Sequence, residues 1–129
     1  MLNINTHRKI NRKLCGEPVS LAENFAEVVL GLTDQMVADE KELIHGGFVF
    51  GLADYAAMLA VNHPNVVLGA ATVKFLKPVV VGDELRAVAK VVEVKGKKYK
   101  IVVKVKKGED VVFEGEFIAI VPDKHVLEK

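Results

Sequence analysis

The stretch LIHGGFVFGLADYAAMLAV, which covers residues 43–61, decides the fold. Its only ionisable side chains are those of His45, Asp54 and Tyr55. The length is close to the roughly 20 residues that a membrane span needs, but a Gly-Gly pair interrupts one end, and an aspartate near the middle would cost about 2.5 kcal/mol or more in lipid. A helix that is apolar on every side is instead covered on every side by protein. The sequence therefore predicts a buried helix from about Gly46 to Asn62 and no membrane partner.

Length and composition predict a single globular domain around that helix. A chain of 129 residues matches one domain, and 50% of them are apolar, which supports a core without disulfide or metal staples. The 18 basic and 17 acidic residues give a formal net charge of +1, so nucleic acid is not an expected partner. The single cysteine, Cys15, and the lack of a basic-then-apolar leader predict a cytoplasmic location.

The ends of the chain are predicted to be accessory to the domain, which we place at 1–129. Residues 1–18 form a short basic segment, with four cations at Arg8, Lys9, Arg12 and Lys13. Such a segment is either an arm for nucleic acid or a solvated surface helix, and the small number of charges favours solvation. Residues 122–129 are interpreted as a C-terminal tail.

The second half of the chain is predicted to be β-sheet, because residues 66–121 hold 16 of the 23 valines and β-branched residues at this density are typical of strands. The predicted strands cover about 66–76, 84–95, 98–107 and 110–121, after an earlier candidate at 25–32. The turns between the later strands are short and predict an antiparallel meander, since parallel strands need long crossovers. A curled sheet of this kind can wrap the apolar helix. The predicted fold class is α+β, with a second copy of the chain completing the cover.

Gly46 and Gly47 are the first candidates for a functional site. Two glycines at a helix start leave backbone N–H groups unobstructed at the positive end of the helix dipole. Such a terminus can hold a phosphate or a developing oxyanion. A tight loop would also require glycine, and the pattern alone does not decide between these interpretations.

Asp54 is the stronger candidate, because it is the only charged residue from Phe48 to Val61. An unpaired buried carboxylate costs several kcal/mol, and proteins keep such groups mainly where their charge or shifted proton affinity is used. The competing interpretation is an aspartate that satisfies backbone groups at an interface. Helical geometry puts Asp54 roughly 12 Å from Gly46 along the axis, too far for both to contact one reacting carbonyl. The sequence therefore indicates a composite site across the twofold axis of a homodimer.

The segments IHGGFVFGLADYAAMLAVN (44–62) and VKFLKPVVVGDEL (73–85) resemble the hotdog-fold acyl-CoA thioesterases, above all the phenylacetate-pathway type. In that family an HGG turn leads the central helix, and an aspartate follows nine residues after the histidine, as Asp54 follows His45 here. The resemblance implies a curved antiparallel sheet wrapped around a long central helix, in a homodimer or homotetramer. It also implies that the Gly46 N–H polarises the thioester carbonyl while Asp54 of the partner subunit acts as base or nucleophile. Coenzyme A would be part of the substrate, so no separate cofactor is expected.

Two positions depart from the family pattern. The family often has Asn six residues before the HGG histidine, where this chain has Asp39. A Ser or Thr that helps to position water on the strand after the helix falls at Leu68, and the nearest hydroxyl on that strand belongs to Thr72. These departures bear on turnover rate and substrate class.

The substrate-binding candidates come from the helix and from the strand that follows it. They are Phe48, Tyr55, Leu68, Thr72, Lys74 and Lys77. Apolar side chains on a buried helix are either pocket walls or plain core. The lysines of the later strands either bind the CoA phosphates or solvate a strand face, and the solvated face is favoured. His45 is expected to shape the turn by hydrogen bonding, and no His or Cys spacing predicts a metal site.

A second resemblance points to binding without hydrolysis. GDELRAVAKVVEV (82–94) and VVFEGEF (111–117) are similar to the malonyl-CoA-binding hotdog domain of a fatty-acid-synthesis repressor. That domain lacks the pairing of HGG with aspartate, and no DNA-binding domain is expected here. We therefore expect an acyl-CoA thioesterase, with a non-catalytic acyl-CoA-binding domain of sensing or regulatory role as the alternative.

Overall fold

The central helix forms as the sequence predicts. The computed structural model describes residues 2–128 and contains a short helix α1 (Arg12–Cys15) and a long helix α2 (Gly46–Val61). Helix α2 ends at Asn62, which is left-handed and whose N–H donates to the Met58 carbonyl at 2.8 Å. A left-handed Asn is a common helix stop. Among the described residues, no helix combines the length and the apolar content needed to cross a bilayer.

Six antiparallel strands form one sheet beside α2. They are β1 (Glu17–Ala22), β2 (Phe25–Gly31), β3 (Val67–Phe75), β4 (Glu84–Lys95), β5 (Lys98–Lys107) and β6 (Asp110–Ile120). Their order across the sheet is β1-β2-β4-β5-β6-β3. The five predicted strands are confirmed within about two residues at each end.

Strand β1 has no clear signal in the sequence. Its residues, EPVSLA, include Pro18 and show no regular alternation of burial. Proline in a strand is confined largely to edges and bulges, and β1 is an edge strand whose register with β2 shifts between Pro18 and Ser20. Pairing with β2, rather than local preference, makes this segment a strand.

The predicted four-strand meander is wrong for its first strand. Strands β4, β5 and β6 do form a meander, but β3 pairs with β6 at the far edge and is not a neighbour of β4. Residues 76–83 therefore cross from β3 to β4 past the ends of β6 and β5, and they do not form a tight turn. Eight extended residues can span roughly 26 Å, which is enough for the three strand spacings of about 4.8 Å each between β3 and β4. Hydrogen bonds fix this segment, with the N–H groups of Leu76 and Lys77 both donating to the Val112 carbonyl.

The apolar core lies between α2 and one face of the sheet. Helix α2 packs chiefly against β2, β4 and β5. Side chains that alternate along β5 and β6 are fully buried against it, namely Ile101, Val103, Val105, Phe113 and Phe117. The predicted period of two in these strands is therefore confirmed.

Strand β3 is the least covered part of the sheet. Ala70, Ala71 and Thr72 are all exposed, although successive side chains in a strand point to opposite faces. Helix α2 therefore does not cover this edge, and within residues 2–128 the outer side of β3 has no strand partner. A long edge without proline or a covering element is open to pairing with another chain.

The N-terminal segment lies along α2. The Asn62 side chain accepts a hydrogen bond from the Asn5 N–H at 2.8 Å and donates one to the Asn3 carbonyl at 2.9 Å. Gly16, with a φ of +115°, lies where an added Cβ would be 2.9 Å from Leu52 of α2. The four cations of this segment are exposed. Packing against α2 thus accounts for the apolar side chains of the segment and leaves its charges in solvent.

Candidate functional site

The amino-terminal end of α2 presents two free backbone donors. Gly46 and Gly47 occupy the first two helical positions, whose N–H groups have no partner in the preceding turn. Among the described residues, neither group donates to a backbone carbonyl, whereas the N–H groups of His45 and Phe48 donate to the Met36 and His45 carbonyls at 2.9 and 3.1 Å. The helix dipole adds positive potential here. This end of the helix is suited to an oxygen that carries negative charge.

Close contacts explain why glycine occupies positions 46 and 47. A Cβ at Gly46 would lie 3.2 Å from the Phe75 ring, and one at Gly47 would lie 2.8 Å from His45 Nε2. The His45 ring packs over the first helical turn and meets the Phe48 ring edge-on, at a centroid distance of 6.1 Å. The predicted hydrogen bonding by His45 is not found at the helix start, where its side chain makes no capping bond. His45 shapes the turn by packing, because its ring lies against Gly47.

Asp54 lies in the middle of α2 with no partner for its charge. Its Oδ1 atom is buried and accepts no hydrogen bond within residues 2–128. Burial raises the Asp54 pKa to about 6, because the surroundings penalise the charged form. A carboxylate with a pKa near 6 is still mostly ionised at pH 7 and is a stronger base than an ordinary aspartate.

The neighbours of Asp54 do not offer a second nucleophile. Tyr55 is 1% exposed and its hydroxyl has no partner in the described part of the chain. Its ring lies 6.4 Å from that of His7, so it faces the N-terminal segment. On α1, burial and then the charge of Asp54 raise the pKa of the Cys15 thiol. A neutral thiol is a poor nucleophile, so Asp54 remains the candidate for the reactive group of this region.

One half-exposed face of α2 carries both the glycine turn and the aspartate. Residues three, four and seven positions after Gly47 lie on the same face of a helix. Here they are Phe50, Gly51 and Asp54, and neither they nor Gly47 are fully buried. Gly51 has open space where a side chain would lie. Gly46 and Asp54 nevertheless stay roughly 12 Å apart along one helix axis. A single chain therefore holds two halves of a site without bringing them together.

A cavity of about 240 Å³ opens beside Gly46. Its walls are formed by the side chains of Ile44, Val49, Phe75, Leu76, Pro78 and Val79, together with Lys77. A larger cavity of about 520 Å³ lies at the opposite end of α2, beside Val61 and Asn62. We place the functional site at the smaller cavity, because it adjoins the free N–H groups.

Of the three predicted substrate-binding residues of β3, Thr72 and Lys74 lie together beside a cavity of about 290 Å³, and Leu68 lies apart from them. Thr72 and Lys74 pair with Glu116 and Glu114 of β6, which alternate with the buried phenylalanines and so point away from α2. Within one chain, Thr72 and Lys74 therefore lie on the outer face and share no site with the helix. Leu68 points the other way and packs against the core.

Of the two lysines predicted to bind substrate, Lys77 lies at the cavity beside Gly46 and Lys74 does not. The Lys77 ammonium lies 3.3 Å from the Asp110 carboxylate, so its charge is matched. Lys77 and Gly46 are the predicted site residues at this cavity, and Phe75 is the largest of its side chains that the sequence did not single out. The only signal for it was an aromatic side chain next to the predicted Lys74, at the end of a strand. Phe48, by contrast, is half-buried beside His45.

Other positions singled out by the sequence have structural partners. The Asp39 carboxylate accepts hydrogen bonds from the Lys41 and Leu43 N–H groups at 2.9 and 3.2 Å, so it caps its own turn. On the lysine-rich strands, Lys100 pairs with Glu116 at 3.4 Å. Within residues 2–128, no three side chains among the His, Cys, Asp and Glu residues lie close enough to form a metal site.

This fold and this site define a hotdog-fold protein of the thioesterase type. The family model described as thioesterase superfamily matches residues 42–114, which include α2 and the crossing segment. The chain belongs to this family.

Two solved structures show the same architecture. The uncharacterized protein PH1136 from Pyrococcus horikoshii is 55% identical and superposes with a TM-score of 0.97 over 98% of both chains. The E. coli PaaI protein from the phenylacetic acid degradation operon is 28% identical, with a TM-score of 0.79 over 87% of this chain and 83% of that one. The predicted hotdog fold and the resemblance to the phenylacetate-pathway type are confirmed.

Two curated relatives are much longer than this chain. The methylthioribose-1-phosphate isomerase of Aquifex aeolicus is 60% identical over 119 residues, which cover 92% of this chain and 26% of that protein. The transcription factor FapR of Caldanaerobacter subterraneus is 34% identical over 97 residues, which cover 75% of this chain and 48% of that protein. The chain thus spans between a quarter and a half of the length of these relatives.

Proposed function

We propose that this protein hydrolyses the thioester of an acyl-CoA, or of an acyl group on another pantetheine arm, to the free acid and a thiol. The observation that carries the proposal is the presence on one helix of free N–H groups at Gly46 and Gly47 and of the unpartnered carboxylate of Asp54. Membership of the thioesterase superfamily supports the same reaction.

Each of these groups has a defined task in the reaction. The Gly46 N–H donates to the thioester carbonyl oxygen and stabilises the negative charge that develops there. Asp54 removes a proton from the attacking water, or attacks the carbonyl carbon itself. In the second route the C–S bond breaks and the thiolate leaves as an anhydride forms; water then opens the anhydride to the free acid and the Asp54 carboxylate, and the proton that the water releases goes to the thiolate. In the water route, the new C–O bond forms as Asp54 takes the proton. Collapse of the tetrahedral intermediate breaks the C–S bond, and the leaving thiolate takes that proton.

Gly46 and Asp54 act on one carbonyl only if they come from two subunits. A second copy that packs on the half-exposed face of α2 would place Asp54 of the partner subunit opposite Gly46, and the open space at Gly51 supports this packing. The β3 edges of the two copies could also pair, which would make one continuous sheet across the twofold axis of the dimer. Sedimentation at micromolar concentration should give a dimer or a tetramer built from two such dimers, and a well-folded monomer would contradict the composite site.

A thiol-release assay tests the activity directly. Purified protein is incubated with a panel of aliphatic and aromatic acyl-CoAs, and the free CoA thiol is titrated with a chromogenic disulfide. We expect release above the uncatalysed rate for at least one acyl-CoA, and loss of that release in the Asp54→Asn protein. No release from any acyl-CoA or acyl carrier protein would overturn the proposal.

Subunit complementation tests the composite site. Asp54→Asn removes the charge, and Gly46→Pro removes the N–H. Proline fits the first helical position, and His45 before it has a ψ of 129°, the extended backbone that a following proline requires.

When the two inactive chains are refolded together at equal amounts, random pairing makes half of the dimers mixed. Each mixed dimer has one intact site and one site with both defects. Activity should therefore recover to about a quarter of the parent value. A site contained within one chain predicts no recovery.

The alternative function is binding of a malonyl-CoA-like ligand without hydrolysis. The similarity to FapR over 75% of this chain favours it, whereas the unpartnered carboxylate of Asp54 is a group that binding alone does not need. Saturable binding of malonyl-CoA by calorimetry, with no thiol release over hours, would establish the alternative.

A further inference from the structure

The cavity beside Gly46 has mostly apolar walls, and three of the backbone N–H groups in these walls already have partners. The Ile44 N–H donates to the Val79 carbonyl at 2.9 Å, and the Leu76 and Lys77 N–H groups donate to the Val112 carbonyl at 2.8 and 3.2 Å. Against the apolar side chains of these walls, the amides of a pantetheine arm would lose their hydrogen bonds to water. An apolar acyl chain has no such bonds to lose. The cavity therefore suits the acyl part of a thioester rather than its pantetheine part.

We propose that this cavity holds the acyl chain, that Phe75 limits its length, and that the protein acts on short, uncharged acyl groups. The inference rests on the proposed function, because it requires the thioester carbonyl at Gly46.

The Phe75 ring contacts both the helix start and the cavity. Its ring lies 3.2 Å from the position of an added Cβ at Gly46 and packs edge-on against Phe113 at a centroid distance of 5.1 Å. The side chain is 55% exposed, so it can be shortened without opening a void in the core. Phe75 is thus a wall of the cavity that a substitution can move independently of the fold.

The size of the cavity indicates a short acyl chain. Its volume of about 240 Å³ lies below the roughly 300–1,000 Å³ of pockets for drug-sized ligands. By that comparison the cavity suits a short acyl chain of about four to eight carbons, and a longer chain would extend past Phe75.

The charge pattern disfavours acyl groups that end in a carboxylate. Among residues 2–128, Lys77 is the only cation that lines the cavity, and its ammonium pairs with Asp110 at 3.3 Å. The far carboxylate of a malonyl or succinyl chain would have to compete with Asp110 for Lys77 or lie among apolar side chains, which disfavours its burial. The cavity therefore selects against the ligand that the alternative function requires.

A chain-length series tests the inference. Values of kcat/KM are measured for acyl-CoAs of two, four, six, eight and twelve carbons and for malonyl- and succinyl-CoA. The proteins are the parent, Phe75→Ala, Phe75→Leu and, as a control, Val92→Ala. Val92 is 56% exposed, as Phe75 is 55% exposed, and it lies on β4 outside the cavity.

The parent should prefer chains of four to eight carbons by at least about tenfold over twelve carbons and over both carboxyacyl substrates. Phe75→Ala should raise the ratio of the twelve-carbon to the six-carbon value by about tenfold or more, Phe75→Leu should raise it less, and Val92→Ala should leave it unchanged. A parent preference for long or carboxylated chains, or an unchanged ratio in both Phe75 variants, would overturn the inference while leaving thioester hydrolysis in place.

The inference remains testable if the parent hydrolyses nothing. Non-hydrolysable S-alkyl-CoA thioethers of the same lengths are then titrated by calorimetry into the parent and the variants. Affinity that peaks at short chains and shifts to longer chains in Phe75→Ala supports the length limit even though the proposed function has failed. Affinity without any dependence on chain length would overturn both.

Discussion

Two aspartates of this molecule occupy opposite situations, one in the middle of α2 and one in the turn before β4. Asp83 Oδ2 accepts a hydrogen bond from the Val80 N–H at 3.0 Å, and Oδ1 lies 2.9 Å from the Lys107 ammonium. Burial alone would raise the Asp83 pKa, but these contacts together hold it below its usual value. Asp54 has no such contact, and burial raises its pKa to about 6.

The difference indicates that the Asp83 carboxylate stabilises the folded protein, whereas the ionised Asp54 carboxylate destabilises it. An increase of about two pKa units corresponds to at most about 3 kcal/mol of destabilisation when Asp54 is ionised. Proteins keep such groups where the charge is used in function. We therefore expect the aspartate of the helix to be the reactive group and the aspartate of the turn to be a structural one.

The substitution Asp54→Asn should have the largest effect and tests whether Asp54 differs from Asp83 in function. The substitution keeps the size of the side chain but removes its charge and most of its basicity, so thiol release should fall by about 10²- to 10⁴-fold. Affinity for a non-hydrolysable acyl-CoA analogue should change little. Turnover is measured per mole of folded protein, with Asp83→Asn as the matched control. Turnover within a few-fold of the parent would remove Asp54 from the mechanism.

A paired substitution at Gly46 sharpens the role of the other half of the site. Gly46→Ala and Gly46→Pro both place a Cβ against the Phe75 ring, but only proline removes the N–H. The proline variant should be about 10²- to 10³-fold slower in kcat than the alanine variant, since one oxyanion donor is lost. Circular dichroism confirms that both variants fold. Equal kcat values would show that contact with Phe75, and not the N–H, accounts for the glycine.

The pH dependence of activity and stability gives the third test at Asp54. The base must be ionised, so kcat/KM should fall about tenfold per pH unit below a pH of about 6. The raised pKa makes the native state bind more protons than the unfolded state between about pH 4 and 6, so stability falls as pH rises through this window. Asp54→Asn should therefore melt several degrees above the parent at pH 7 and 8, and the two should converge near pH 4. A lower melting temperature for Asp54→Asn at pH 7 would indicate a structural role.

Asp83→Asn should give the smallest effect and the opposite sign. It removes a charged acceptor from Val80 and Lys107, which should cost about 1–2 kcal/mol at pH 7. A lowered pKa stabilises the native state above the ordinary Asp value, and that stability is lost as pH falls through the native pKa. The difference from the parent, measured by thermal melts, should therefore disappear in acid below about pH 4. Unchanged stability at pH 7 would show that the turn does not depend on this carboxylate.

Local sequence was sufficient for the central helix and for most of the sheet. Apolar residues on every side of 46–62, and the period of two in β5 and β6, follow from the geometry of single elements. The order of the strands did not follow from it. Hydrophobic pattern and turn residues specify a strand and its next neighbour, whereas the pairing of β3 with β6 depends on a segment that crosses the sheet. The same reason applies to β1, whose weak pattern becomes a strand only beside β2.

For the site, the sequence by itself determined the two halves and the distance between them. Glycines at a helix start and one charge in an apolar helix are visible without a structure, and the rise of a helix converts eight residues into a length. Only the tertiary structure decided what surrounds these halves. It put Phe75 and Lys77 at the cavity beside Gly46 and turned Thr72 and Lys74 to the outer face. Which face of a strand meets the helix is set by its register with its neighbour, and a shift of one residue would reverse it.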